Sequence, residues 1–482
     1  MSKTAIRIER FDDGMNPDFR SDRGVQRIQH FKTHPYKLVP QLSTEANESK
    51  SLGIKRFAYA PWLTGYNLFG LGVNASNHPA VYMKDTTGAD VINNGWSTPS
   101  GGDGAASGSL GTNNILFPYK NYLHFFSGGT NLSRYLAVGS PALTLNYQSI
   151  TYGTVADPVH HPADDCAYFF ADNKVYRLNG SSWEGEVLAL PDNLKIVSGN
   201  AVGNFLEIAC APKSGFGPSV SYLWDRDSSL STVAGQIHWG EGNIIHTGYL
   251  KGVLVGVIDY FTSSIFGHDK GKVIIKPANG EWEPRVFEVD GTDAGNFTGN
   301  KHIVDDMLHF LRLTRGGQTL EGIWAVDSRG RVSIPVSDED VSTGRIQGIY
   351  KTGEYWWLAH SGDGSVNRTN DQNTYAYTSI LETNVIGKAD EQSQFYGATI
   401  PFEPLPSGAS VTLKFKKVGE SSWTTMKTVS TAGATTLSAI KSGVSKAPVF
   451  NEIQYRVEST GGAVIAAGLE FVHETHDKKP YA

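Results

Sequence analysis

Seven short apolar segments recur along the first three quarters of the chain, and this repetition constrains the fold more than any other feature. They read Tyr66-Asn67-Leu68-Phe69, Tyr122-Leu123-His124-Phe125-Phe126, Tyr168-Phe169-Phe170, Phe205-Leu206-Glu207-Ile208, Val253-Leu254-Val255-Gly256-Val257-Ile258, Leu308-His309-Phe310-Leu311 and Tyr355-Trp356-Trp357-Leu358. Each has the length of a strand. Their spacing, roughly 40 to 55 residues, suits the four-stranded units of a β-propeller and exceeds the about 34 residues of helical-pair repeats. One such unit is a small twisted sheet that cannot bury both faces alone, so neighbours must cover it until the array closes. The expected fold is therefore all-β, with a propeller of about seven blades, six or eight also being compatible. Composition agrees: 53 glycines and 11% aromatic against 19% charged residues favour short strands and tight turns.

Three regions separate along the chain. Residues 1–50 are polar and broken by Asp12-Asp13-Gly14, Asn16-Pro17 and His34-Pro35, which predicts an extended N-terminal arm that needs a partner to be ordered. Residues 51–372 hold the repeats. Within them Phe169-Phe170, Ala171-Asp172-Asn173 and Lys174-Val175-Tyr176-Arg177-Leu178 spell strand, turn, strand, and Gly322 to Ile334 repeats the logic around Asp327-Ser328-Arg329-Gly330. Asn93 to Asn114 reads as an inserted exposed loop. From residue 373 to 482 the pattern becomes strict alternation, as in Val411-Thr412-Leu413-Lys414-Phe415 and Glu452-Ile453-Gln454-Tyr455-Arg456-Val457, which predicts a C-terminal β-sandwich.

Charge and cysteine usage exclude several classes. A net charge of -6 without a basic patch argues against sequence-specific nucleic-acid binding. The most apolar run, Tyr249 to Phe261, is interrupted by glycines and charges and is too short to cross a bilayer, so no membrane insertion is expected. The stretch Met1 to Asp13 has no continuous apolar core of the kind a secretory signal carries. Cys166 and Cys210 fall in strands of neighbouring repeats and read as small buried hydrophobes.

The ends of the chain carry a family resemblance. Glu403-Pro404-Leu405-Pro406-Ser407-Gly408-Ala409-Ser410-Val411-Thr412-Leu413-Lys414, Ser422-Trp423-Thr424-Thr425 and Phe450 to Glu458 resemble the final β domain of structural proteins of tailed bacteriophages. Arg10-Phe11-Asp12-Asp13-Gly14, Phe31 and Pro35-Tyr36-Lys37-Leu38-Val39-Pro40 look like the opening arm of the same group, whose tail nozzle proteins hold a propeller between such ends. The resemblance implies a structural subunit of a tail nozzle or neck ring in the virion, assembled in the host cytoplasm. It further implies a ring of identical copies, sixfold in the family, beside other tail or adaptor proteins and lining part of a DNA ejection channel. Phe11, Phe19, Phe31 and Tyr36 are then the expected intersubunit contacts, because aromatics on a polar segment have no local core to enter. An acidic lumen would let passing genomic DNA slide without adhering.

No enzymatic set stands out, and neither a catalytic residue nor a cofactor is expected. His160-His161 with Asp164-Asp165 is the closest approach to a metal site, but it sits in a loop between Pro158 and Pro162 with no further ligand in reach, so no metal is expected. His238-Trp239-Gly240-Glu241 and Asp305-Asp306 are weaker. A propeller glycosidase needs two facing carboxylates, and nothing in the spacing of Asp225, Glu241, Asp259, Asp305 and Asp327 selects a pair. The alternative to a scaffold is a receptor- or glycan-binding tail protein, for which Trp96, Trp183, Trp282 and Trp423, all near turns, are the candidate stacking residues.

Overall fold

The computed structural model describes residues 2–9, 11, 15, 27–29, 31–34, 37–40, 44–48, 53–62, 65–74, 76, 78–84, 96–97, 99, 114–126, 131–136, 142–150, 155–215, 217–229, 233–262, 270–290, 301–312, 322–337, 346–352, 355–360, 366–369, 378–444 and 447–476. Among these the chain is all-β: the regular elements are strands, apart from one 3-10 turn at Lys441–Gly443. No helix of the described residues is long and apolar enough to cross a membrane. Two compact units divide the chain. Unit 1 comprises Met1–Ser43, Gly322–Asp340 and Asn370–Ala482; unit 2 comprises Thr44–Glu321 and Val341–Thr369.

Unit 2 is a succession of small antiparallel meanders. Sheet I is Arg56–Trp62, Gly65–Val73, Pro79–Lys84 and Trp96–Ser97; sheet II is Leu116–Tyr119, Tyr122–Phe126, Asn131–Leu136 and Ala142–Ser149. Sheet III is Val155–His161, Cys166–Ala171, Lys174–Asn179 and Ser182–Ala189, and sheet IV is Leu194–Val202, Phe205–Pro212, Pro218–Trp224 and Gly235–Glu241. Sheet V is Asn243–Leu250, Val253–Thr262, Lys270–Pro277 and Arg285–Asp290. Hairpin VI, Lys301–Val304 with Met307–Arg312, turns at Asp305 and Asp306, both left-handed with φ of 54° and 58°, as a two-residue hairpin loop requires. Sheet VII joins Ile346–Thr352, Tyr355–His360 and Val366–Thr369 to a strand from far earlier, Thr44–Glu48, paired in register Val366↔Glu48 to Thr369↔Thr44.

All seven apolar segments seen in the sequence fall in the second strand of their sheet or hairpin. A second strand is hydrogen-bonded on both sides and covered on both faces. Cys166–Ala171 is accordingly buried at every residue, where a half-exposed strand would alternate. The covering comes from the next sheet. One core cluster joins sheets III and IV through Tyr168, Phe170, Ile196, Ile208 and Trp224, and another joins sheet VII to sheet I through Phe57, Leu68, Trp96 and Trp357. Close approach also selects glycine: a Cβ on Gly256 of sheet V would lie 2.6 Å from the Trp239 ring of sheet IV.

The first strands pack against their neighbours in chain order, with sheet V meeting hairpin VI through Met307–Arg312. The circuit returns to its start, since Ile346–Thr352 packs on Arg56–Trp62. Gln347 Nε2 donates to the Ile54 carbonyl at 2.9 Å there, and a Cβ on Gly348 would meet the Lys55 carbonyl oxygen at 2.9 Å. Repeated small antiparallel sheets in this arrangement are compatible with a propeller-like fold. Cys166 and Cys210 are both buried and free, and burial pushes the Cys166 thiol up to about 11.

In unit 1 the first and last strands of the chain meet. Ser2–Ile8 pairs antiparallel with Leu469–His476, in register from Ser2↔Thr475 to Ile8↔Leu469, and Gln392–Pro401 and Thr436–Ile440 extend that sheet. The opening strand therefore has its partner within the chain. Glu452–Thr460 lies between Ser379–Glu382 and Ser410–Lys417 in a second sheet, which Thr424–Val429 extends on one side and Arg27–Gln29 on the other. Aromatics from both sheets meet in the core: Tyr455 stacks on Phe471 at 4.6 Å and its hydroxyl bonds His473 Nε2 at 2.8 Å.

Candidate functional site

A cavity of about 520 Å³ opens where the first strands of unit 2 converge. Sheet I contributes Arg56, Phe57 and Ala58, sheet II Leu116 to Pro118, sheet III Asp157 to His160, sheet IV Gly199 to Ala201, hairpin VI Lys301 to Ile303, and sheet VII Ile349 and Tyr350. Strands on different sheets thus place polar and apolar groups side by side around one space, within the size range of small-molecule sites.

The polar wall is bonded internally. Arg56 Nε donates to the Asn114 carbonyl at 3.0 Å and to Asn114 Oδ1 at 2.7 Å, and its guanidinium faces Asp157 Oδ1 at 3.4 Å. Lys301 reaches across two sheets. Its ammonium donates to Ser198 Oγ at 2.7 Å, Gly199 O at 2.7 Å, Asn200 Oδ1 at 3.2 Å and Thr247 O at 2.8 Å. The residue keeps some exposure to the cavity, but the ammonium itself lies among protein atoms; burial lowers the Lys301 amine to about 8, against the opposing pull of Glu207 and Asp157. Behind Lys301 sits Glu207, wholly buried, accepting from Asn200 Nδ2 at 2.8 Å, from Thr247 Oγ1 at 3.0 Å and from Ser221 Oγ. Burial raises the Glu207 carboxyl, and these hydrogen bonds oppose the rise. A buried ammonium and a buried carboxylate therefore share Asn200 and Thr247, in a network joining sheets IV and V to hairpin VI.

Of the sequence-derived candidates, His160 is the one in the described lining. His160 Nε2 bonds Asp165 Oδ1 at 2.8 Å, while His161 is buried and bonds the Phe205 carbonyl at 3.0 Å. Asp164 turns to Arg226 at 3.1 Å and to the Tyr168 hydroxyl. The four residues fall into two pairs, His160 with Asp165 and His161 with Asp164 at 3.9 Å, and among the described residues no cluster of three or more histidine, cysteine or carboxylate groups is disposed to hold a metal. Asp225, Glu241, Asp259, Asp305 and Asp327 are absent from the cavity wall, whose described lining holds one carboxylate, Asp157. Asp306 pairs with Lys251 at 2.9 Å and Asp305 with Lys351. Trp239, beside His238, is buried and donates to Ser221 Oγ at 2.7 Å.

The tryptophans near turns are engaged by neighbours. Trp96 is buried, 5.8 Å from Phe57 and 6.1 Å from Trp357. Trp183 stacks on Tyr176 at 5.9 Å, Trp282 lies 5.8 Å from the Arg285 guanidinium, and Trp423 faces both Lys416 at 4.8 Å and Arg456 at 4.3 Å. Phe11 and Phe31 are buried within the chain, at 1% and 0% exposure, so the premise that they have no local core does not hold. Phe19 and Tyr36 lie outside the described residues. Among the described residues a stacked aromatic pair that does face solvent is Tyr59 and Tyr66, 45% and 61% exposed and 5.5 Å apart. Their signal in the sequence is two tyrosines on either side of Leu63-Thr64, but nothing there distinguishes them from core aromatics.

The sequence matches no protein-family model and no curated protein. A solved structure, described as a protein of unknown function from Bacteroides caccae at 1.35 Å resolution, aligns over 50% of this chain and 79% of its own with 10% identity and a TM-score of 0.32.

Proposed function

We propose that this chain is a non-enzymatic structural subunit of a tailed-phage virion, stationed at the tail nozzle or an adjoining neck ring and forming part of the DNA ejection channel. In this reading unit 2 is a seven-bladed propeller and the C-terminal part of unit 1 a β-sandwich. The observation that carries the scaffold role is the closing strand. Thr44–Glu48 completes a sheet whose other strands lie some three hundred residues later, as Val366↔Glu48 pairing requires, and so ties the start of the circuit to its end. Closure of this kind protects sheet edges and resists deformation. A wall with its cations already bonded and one carboxylate supports the absence of chemistry there. The phage assignment itself rests on the resemblance at the two ends of the chain. Copies of the subunit, six in a ring, would stack by repeated head-to-tail interfaces that close by rotation.

Native mass measurement of the purified chain tests this, with electron microscopy of particles locating the density. A closed ring of identical copies at a tail nozzle or neck is the expected result; a monomer at every concentration, or density elsewhere in the particle, overturns it. Removing residues 1–50 is a poor test of the arm, because it also removes Ser2–Ile8 and Thr44–Glu48 from their sheets. Phe19→Ala and Tyr36→Ala are the narrower variants, expected to weaken assembly, with the melting midpoint followed alongside to report on folding. If duplex DNA is retained by the assembled ring at low salt, the channel wall is basic and the sliding role fails.

A further inference from the structure

We infer that the mouth of the unit 2 cavity binds a neutral saccharide, with Tyr59 and Tyr66 as the stacking platform and Asp157 as a hydroxyl acceptor. Tyr59 and Tyr66 lie on the same face of adjacent strands, since Tyr59 is opposite Leu68 and Pro61 is opposite Tyr66. Their rings are nearly parallel, 21° apart, and largely exposed. A flat, exposed pair of this kind offers its faces to the C–H side of a sugar ring. The platform adjoins the cavity: Phe57, two residues before Tyr59 on the same face of the strand, lines it, as does Tyr350, whose hydroxyl is set against the Tyr59 backbone.

Charge selects the ligand class. An anion would need an unengaged cation, but in the described lining Arg56 is committed to Asn114 and Asp157, the three protons of Lys301 already face four oxygens, His160 is paired with Asp165, and burial keeps the His302 ring neutral. A cation would need net negative charge, yet Asp157 is balanced by Arg56. A purely apolar ligand would leave the lone pairs of the partly exposed Asp157 without water. A neutral, polyhydroxylated molecule meets all three conditions, placing an apolar face on tyrosine and hydroxyls on the remaining acceptors. This inference does not depend on ring assembly, so either can fail alone.

The test is an array of immobilised oligosaccharides, with neutral glucose, galactose, mannose and N-acetylglucosamine series beside sialylated and sulfated ones, probed with the full-length chain. Retention on a neutral series is expected. Tyr66→Ala and Tyr59→Ala should each lower it at least tenfold with an unchanged melting midpoint, while Tyr59→Phe, which keeps the ring face, should retain it. Should Tyr59→Ala fail to fold, the more exposed Tyr66 carries the comparison. No retention on any neutral series, retention on anionic glycans only, or retention that survives Tyr66→Ala would overturn the inference.

Discussion

The first and second strands of each sheet in unit 2 run side by side, yet they are built on opposite principles. Second strands are almost wholly apolar and buried: Phe169 and Phe310 are 0% and 0% exposed. First strands carry Arg56, Asp157, Asn200 and Lys301 to the converging edge, where hydrogen bonds hold them together. The difference teaches that the array is held by two kinds of glue. Non-directional burial between sheets supplies most of the stability, while directional bonds at the centre fix which strand meets which.

The largest blow to this contrast is on the apolar side. Phe169→Ala should destabilise the chain by about 3–5 kcal/mol, through lost burial and a residual cavity, measured as a fall in the denaturant midpoint. Next comes the polar side: Lys301→Met removes the donor that meets Ser198, Gly199, Asn200 and Thr247 and the charge that opposes the rise of the Glu207 carboxyl. A loss of about 3 kcal/mol is expected in the same assay, and an unchanged midpoint would show that the central bonds are incidental. Gly256→Ala, which pushes a methyl against Trp239, should cost about 1–3 kcal/mol and shift the tryptophan fluorescence.

Taken per pH unit and per histidine, the smallest effect is in acid. Burial holds His124 down to about 3, with the Arg134 charge adding to the shift, and burial holds His309 to about 3 and His302 to about 4. These rings stay neutral in the folded chain while the unfolded chain protonates them near pH 6.5. Stability is therefore full above that value and falls as pH drops toward 4, by about 1.4 kcal/mol per pH unit for each histidine. His124→Gln should flatten the plot of melting midpoint against pH by that amount; an identical slope would show that His124 does not titrate between the two states.

The second strands were legible because each carries a run of mostly apolar residues that a neighbouring sheet must cover, whichever sheet that is. Hairpins at Asp172-Asn173 and the alternating strands around Val411 and Tyr455 were legible for similar local reasons, and the structure places strands there. The central site was not. Arg56, Asp157, Asn200 and Lys301 are separated by 245 residues from first to last and follow no spacing, because each meets the others only after its own sheet has formed. Adjacency in His160-His161-Asp164-Asp165 is an equally poor guide to contact, because successive strand residues point to opposite faces, and His160 and His161 part accordingly.

By itself the sequence determined the all-β class, the repeat and its period, and the burial of the strands that repeat it, since these follow from local pattern and solvent exclusion. Only the tertiary structure decided that Ser2–Ile8 joins the last strand, that Thr44–Glu48 closes the final sheet of unit 2, and that Lys301 bonds to sheets IV and V. Those pairings depend on which edges and acceptors come within reach once distant segments have packed, and backbone hydrogen bonds carry no mark in the side chains that precede them.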